Sequence, residues 1–211
     1  MFACALNWPG WCRAGADEER SLQALAAAAP RYAAVAASAG VRFPTAGRTT
    51  FRVVERLDGS ASTDFGAPGA IAARDRRPVT RAEGERLAAL VAASWSIFDR
   101  VLVVSPPRLT KGPRGGGRDR DAIAEHVLGA EVSYARKLDL RIRQPAIVDR
   151  AAISAAREQI IAALRRPAKA PAASATGWPA PYLARRIAWH VLDHAWEMED
   201  RTPGKRADQT E

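Results

Sequence analysis

The chain contains few residues of the types that usually carry chemistry. Its 211 residues include two cysteines, three histidines and only four lysines. Cys4 and Cys12 are too few for a disulfide framework and lack zinc-finger spacing. We therefore expect free thiols in a reducing compartment.

Long hydrophobic runs are also absent. No uninterrupted apolar run approaches the ~18 residues that span a bilayer. The start, "MFACALNWPG", lacks the basic region and long apolar stretch of a signal peptide. We expect a cytoplasmic protein without membrane association.

The net charge of +9 comes almost entirely from arginines, which are spread along the chain and mixed with acids. Nucleic-acid binding calls for clustered basic residues on one face. The pattern argues against a nucleic-acid partner and leaves an acidic small molecule open. Hydrophobic content of 47% and charged content of 26% are ordinary for a globular protein.

Residues 1–75 have the pattern of a small α+β unit. "FACAL" (2–6) favours a strand and "NWPGWCRAG" a turn, followed by a helix over 17–39 with acids in its first turn. "TTFRVVERL" (49–57) alternates in the manner of a strand. Trp8 and Trp11 beside the turn suit packing or a lid.

From residue 78 the periodicity becomes helical. Four amphipathic stretches predict helices over 79–104, 119–139, 149–166 and 182–201. Thr80 and Glu83 form a capping-box pattern at the first of them. Four such helices predict a four-helix bundle over 78–201, with a fraying tail at 202–211. The fold class is then mainly α, with the bundle preceded by the α+β unit.

Two of the three histidines lie one turn apart in "RRIAWHVLDHAWEMEDR" (185–201). His190 and His194, at i and i+4, share a helix face and can chelate one ion. His126, on the second bundle helix, falls at a similar depth, about 10–12 Å from the helix start at ~1.5 Å per residue. Three imidazoles with an open fourth position are typical of a catalytic metal site. Zinc, nickel, copper and iron all suit imidazole, and availability favours zinc.

Several neighbours are candidates for roles at this centre. Glu197 follows on the same face and either orients a ligand, moves a proton or is a solvated acid. Tyr134 lines the pocket or packs in the core, and the same holds for Trp189. "GPRGGGRDRD" either cradles an anion, with Arg114 and Arg118 contacting a carboxylate or phosphate, or is a linker.

With His126 in "EHVLGAE" and the pair in "WHVLDH" (189–194), residues 78–201 resemble the DinB/YfiT-like metalloenzyme superfamily. The resemblance implies a four-helix bundle in which His126, His190 and His194 hold a divalent metal, often zinc or nickel. It also implies chemistry on small molecules. Some relatives use low-molecular-weight thiols such as mycothiol or bacillithiol in transfer or isomerisation, and others are hydrolase-like protective proteins.

The N-terminal stretch "ALNWPGWCRAGADEERSLQAL" is similar to HicB-type domains over residues 1–57. Such domains carry a strand, a Pro-Gly turn, an acidic helix start and further strands. No toxin-neutralising role follows. A lid, a homodimer surface and a partner-docking module are left open.

Together these observations predict a metal-dependent enzyme acting on a small electrophilic molecule, with Glu197 as a proton handler and Arg114, Arg118 and Tyr134 as substrate contacts. A low-molecular-weight-thiol-dependent transferase is favoured on the resemblance. The alternatives are a metal-dependent hydrolase with a self-protection role, and a non-catalytic, metal-stabilised regulatory or partner-binding module.

Overall fold

The computed structural model describes residues 1–44, 50–112, 116–167 and 177–203. Within them the fold is mainly α, with one two-stranded antiparallel sheet near the N-terminus, as predicted. The elements are β1 (Phe2–Cys4), β2 (Cys12–Ala14), α1 (Glu18–Ala27), α2 (Ala29–Ser38), α3 (Ala61–Asp64), α4 (Arg81–Val104), α5 (Arg120–Ala135), α6 (Arg150–Leu164) and α7 (Ala180–Asp200). Two short 3₁₀ helices cover Ala73–Arg76 and Arg136–Leu138.

The four long helices begin and end close to their predicted bounds because the capping signals act locally. Thr80 accepts a hydrogen bond from the Glu83 backbone N–H, and the Glu83 carboxylate accepts one from the Thr80 N–H at 2.9 Å. This is the predicted capping box, and it satisfies donors that a helix start leaves unpaired. Asp149 caps α6 in the same way by accepting from the Ala152 N–H at 2.9 Å.

The long helices share one hydrophobic core. α4 runs alongside α7, α6 packs on α4, and α5 packs on α7. The predicted apolar stripe of α4 supplies much of this core, and it includes Leu90, Val91 and Phe98, each at most 2% exposed. α7 is buried around most of its circumference, so side chains on several of its faces are held in fixed positions.

By length and composition, the 24-residue α4 could cross a membrane. Half of its most apolar stretch is buried inside the protein, a pattern that core helices share. The location of the protein stays a prediction.

A second core cluster joins the N-terminal unit to the long helices. Trp11 is buried, stacks on Tyr32 at 5.6 Å between ring centres, and donates from Nε1 to the Leu25 carbonyl. The cluster also contains Leu192 and Trp196 of α7. The aromatic residues beside the Pro-Gly turn therefore pack in a core.

The hairpin turn rests directly on α7 because Gly10 has no side chain. Gly10 has a φ of +93°, and a Cβ there would lie 2.6 Å from Leu192 Cδ1 and 3.1 Å from Ala188 Cβ. Glycine adopts this left-handed conformation without steric cost. The close approach sets the position of the β1–β2 hairpin over the helix.

Two N-terminal predictions were wrong. The helix over 17–39 is divided into α1 and α2 at Ala28, because Pro30 in the first turn of α2 has no N–H to continue the α1 ladder. In the segment predicted as a strand at 49–57, residues 50–57 have no regular secondary structure, and residue 49 lies outside the described part of the chain. Val54 in this segment is 58% exposed.

Among the described residues, residues 50–57 lack the hydrogen-bonded neighbour that a strand requires. A strand needs a neighbour with which to form ladder hydrogen bonds. In the described ranges, β1 pairs only with β2, and residues 50–57 pair with neither. Side chains hold the segment instead: Arg56 forms two hydrogen bonds with Glu18, at 2.7 and 2.8 Å.

A buried ion pair fixes the chain between α3 and α4 to α7. Asp75, 2% exposed, accepts from the Ala72 N–H at 2.9 Å. Its two carboxylate oxygens also accept hydrogen bonds from the buried guanidinium of Arg185. This bidentate contact holds α7 in place near the part of the helix that carries His190 and His194.

Candidate metal centre

Helices α5 and α7 bring all three histidines of the chain together. One ring nitrogen from each of His126, His190 and His194 lies within 4.8 Å of the other two. The His126 and His190 Nε2 atoms are 3.1 Å apart. The predicted i, i+4 pair shares a face of α7, and α5 supplies the third imidazole across the core.

The spacing of the nitrogens suits a shared ion. Two nitrogens that each lie ~2.05 Å from one tetrahedral zinc are about 3.3 Å apart. The observed 3.1 Å between His126 and His190 is close to this value. Without an ion, the same contact is a hydrogen bond in which one Nε2–H donates to the other Nε2.

Glu197 fixes the orientation of His194. The Nδ1 of His194 is 2.7 Å from Glu197 Oε2, while the other carboxylate oxygen of Glu197 accepts from Arg201. Arg201 in turn donates from Nε to the Thr110 carbonyl at 2.8 Å. A carboxylate on Nδ1 holds the proton there and leaves Nε2 free as a ligand atom, as is common for metal-binding histidines. Of the roles considered for Glu197, this geometry favours orienting a ligand.

The surroundings keep two of the imidazoles neutral. Burial lowers the pKa of His190 to about 2, and repulsion by His194 or His126, when either is protonated, and by Arg186 acts in the same direction. Burial also lowers the pKa of His126, again with help from His194. Metal ligation requires the neutral ring, so both histidines are in the required state at neutral pH.

The buried guanidinium of Arg186 lies beside the histidines and forms no ion pair with a carboxylate of the described residues. Arg186 is 7% exposed, donates to the Pro68 carbonyl at 3.1 Å and donates to the Tyr134 hydroxyl at 3.2 Å. Its Nε is buried without a hydrogen-bond partner among the described residues. The guanidinium lies within 6 Å of the ring centres of Tyr134, Trp178 and Trp189. In the ranges that the structure describes, no carboxylate forms an ion pair with it.

The other predicted site residues have different outcomes. Tyr134 lies at the centre, with its ring 6.0 Å from the His190 ring. Arg118 is exposed, but it is near enough to His126 and His190 for its charge to lower the pKa of both. Arg114 lies outside the described residues. Asp193, which lies between the two histidines of α7 in the sequence, pairs with Arg13 at 3.5 Å.

Sequence reasoning missed three residues of the centre: Arg186, Arg201 and Trp178. Spacing could have indicated two of them, because Arg186 precedes His190 by one helical turn and Arg201 follows Glu197 by one turn. Trp178 lies just before α7, and its ring centre is 5.5 Å from that of Tyr134, a contact that spacing in the sequence does not encode.

Comparisons with protein-family models, with curated proteins and with solved structures find no match to this chain.

Proposed function

We propose that this chain is a metal-dependent enzyme acting on a small electrophilic molecule, with His126, His190 and His194 holding a divalent ion. The observation that carries the proposal is the convergence of three imidazole nitrogens within 4.8 Å, one of them oriented by a carboxylate. Zinc and nickel both suit this ligand set.

The number of ligands favours catalysis over a purely structural ion. A closed structural zinc site takes four cysteine or histidine ligands, and the described residues bring three histidines together here. A bound divalent ion with an open position would lower the pKa of a thiol or a water molecule there. Glu197 is directed at His194 and Arg201, so its part is to orient a ligand.

Arg186 and Tyr134 are the proposed substrate contacts. A buried guanidinium without a carboxylate is costly, and an anionic group on the substrate or cosubstrate would offset that cost. Tyr134 accepts a hydrogen bond from Arg186 and lies against His190, so it would lie between a substrate anion bound to Arg186 and the three histidines. Arg118 adds positive potential from the surface, and Arg114 stays a candidate from the sequence.

The choice among reactions depends on the resemblance. A DinB-type assignment of residues 78–201 is supported by the histidines on α5 and α7, and it favours a transferase that uses a low-molecular-weight thiol such as mycothiol. Two reduced cysteines fit the cytoplasmic location that we propose with it. A metal-dependent hydrolase is the alternative within the same site.

Metal content is the first test. Elemental analysis of the untagged protein is expected to find about one zinc or nickel ion per chain. A His190→Ala/His194→Ala double variant is expected to have none. Glu199→Ala on the same helix is the matched control, because Glu199 pairs with Arg31 at 2.6 Å, and it should keep the ion. Absence of metal from the wild type, with none taken up on addition, would refute the proposal.

A turnover assay separates the proposed reactions. A chromogenic aryl halide with added thiol tests the transferase, and a chromogenic ester without thiol tests the hydrolase. Activity in either assay should disappear with a chelator and in His190→Ala. A regulatory module would show no turnover and a large chelator-induced loss of thermal stability.

A further inference from the structure

The two cysteines of the chain face each other across the N-terminal hairpin. β1 and β2 pair antiparallel, and the register places Cys4 directly opposite Cys12. Opposite residues project from the same face of a sheet, so the two thiols lie together. Both cysteines are free in the structure.

The hydrogen-bond pattern shows which kind of cross-strand pair this is. Ala5 N–H donates to the Trp11 carbonyl, and Gly15 N–H donates to the Met1 carbonyl. In an antiparallel ladder, hydrogen-bonded pairs alternate with non-hydrogen-bonded pairs. Counting from the Ala5–Trp11 pair, Cys4 and Cys12 form a non-hydrogen-bonded pair.

Such a pair has the separation that a disulfide requires. The Cα atoms of a non-hydrogen-bonded pair are about 4.5 Å apart, with side chains closer than in the other kind of pair. Disulfides join Cα atoms about 4.4 to 6.8 Å apart. The bond can therefore form without movement of the strands.

The two thiols differ in access and acidity. Cys4 is half-buried and Cys12 is 4% exposed, and both border a cavity of about 790 Å³ between the hairpin, the 50–74 segment and α7. A hydrogen bond from the Cys12 thiol lowers the pKa of Cys4, and the charges of Arg185 and Arg186 lower it further. Burial raises the pKa of Cys12. Cys4 is thus the more nucleophilic and accessible thiol.

We propose that Cys4 and Cys12 form a redox modification site, in which a small peroxide entering the cavity converts the dithiol into an intramolecular disulfide. The Cys4 thiolate attacks one peroxide oxygen, the O–O bond breaks, and with one proton Cys4 sulfenic acid and water form (for hydrogen peroxide). The Cys12 sulfur then attacks Cys4, and its proton leaves with the hydroxyl as a second water molecule. The two thiols lose two electrons and the peroxide gains them.

The site is separate from the histidine centre but lies close to it. Phe2, in the same strand as Cys4, packs edge-on against Trp189 at 6.2 Å between ring centres, next to His190. The disulfide would close the hairpin that covers this part of α7. The proposal stands whether or not the histidines bind metal.

Thiol counting on the full chain with hydrogen peroxide tests the proposal. The reduced protein should have two reactive thiols under denaturing conditions, and none after treatment with a small excess of peroxide. Tryptic cleavage at Arg13 leaves both cysteines in one peptide, residues 1–13. That peptide should lose two hydrogens in mass, and dithiothreitol should restore them.

Three wild-type outcomes would overturn the proposal: persistence of both thiols, oxygen addition to Cys4 with Cys12 still free, or a disulfide-linked dimer. These measurements need no variant and so do not depend on a variant's folding.

Single substitutions divide the reaction into its steps. In Cys12→Ser, Cys4 should gain oxygen atoms, because no second thiol is present to displace the hydroxyl. In Cys4→Ser, the buried Cys12 should stay reduced over the time in which the wild type is fully oxidised. A Cys4 that stays reduced in the first variant, or a Cys12 oxidised at the wild-type rate in the second, contradicts the mechanism.

Discussion

Replacing Glu197 by glutamine tests whether the histidine cluster is built to bind metal. The Glu197 carboxylate accepts from His194 Nδ1 with one oxygen and from Arg201 with the other. A glutamine amide has one oxygen that accepts and one nitrogen that donates. The guanidinium of Arg201 can only donate, so the amide oxygen should turn toward Arg201 and the amide NH₂ toward Nδ1.

This reversal changes the tautomer of His194. Nδ1 must then accept a hydrogen bond, so the ring proton moves to Nε2, the nitrogen that would otherwise be free to bind an ion. Loss of such a supporting carboxylate typically weakens metal binding about 10- to 100-fold, or about 1.4 to 2.7 kcal/mol. We expect the upper end of this range, because the tautomer change blocks a ligand atom as well as removing a charge.

A competition titration of zinc against a chromogenic chelator at neutral pH measures the effect. Glu199→Gln is the matched control, since Glu199 lies on the same helix in an ion pair with Arg31. It should bind zinc as the wild type does. Equal zinc affinity in Glu197→Gln and the wild type would refute the orienting role of Glu197.

Three further predictions concern the fold. Asp75→Asn leaves a buried guanidinium unpaired and should lower the free energy of unfolding by about 3 to 5 kcal/mol, measured with urea. In the control, Asp193→Asn, the carboxylate that is replaced is 50% exposed, and the loss should be at most about 1 kcal/mol. Equal losses in the two variants would contradict the stabilising role of the buried pair. Burial raises the pKa of Tyr32, so above pH ~10 the unfolded chain releases a proton that the folded protein keeps. The free energy of unfolding of the wild type should therefore fall by up to ~1.4 kcal/mol per pH unit in that range. Tyr32→Phe loses the hydrogen bond that the Tyr32 hydroxyl donates to the Pro9 carbonyl at 2.7 Å, so it should be less stable by about 1 kcal/mol at neutral pH. Its stability should fall less steeply than that of the wild type above pH ~10, and parallel curves for the two proteins would show that burial does not raise the pKa of this phenol. Gly10→Ala should lower stability by about 1 to 3 kcal/mol more than Gly66→Ala. Both glycines have positive φ, but only the methyl group at position 10 would collide with α7. Thermal unfolding of the two variants measures the difference.

Local sequence determined the four long helices. Their apolar periodicity and caps act within a few residues of the chain, and the Thr80–Glu83 box needs no tertiary contact to form. The pairing of His190 with His194 has the same origin, because helical spacing alone puts residues i and i+4 on one face. The sequence could also place His126 at a matching depth, since depth along a helix scales with residue count.

Strands and long-range pairs depended on the tertiary structure. The alternating pattern at 49–57 predicts a strand, but residues 50–57 form no ladder with β1 or β2 in the described fold, and a strand needs the hydrogen bonds of such a ladder. The Cys4–Cys12 pair was missed for a related reason: only the strand register puts the two thiols opposite each other, and spacing in sequence does not encode it.

The surroundings of the histidines were likewise decided by packing. Arg186 reads in the sequence as one arginine among many, and only the fold buries it among aromatic rings without a carboxylate. The direction of Glu197 toward His194 depends on Arg201, which is itself held by the Thr110 carbonyl from a distant loop. Helical spacing is a local property and can be derived from sequence, whereas burial and charge pairing depend on which segments meet, and that is determined only when the whole chain has packed.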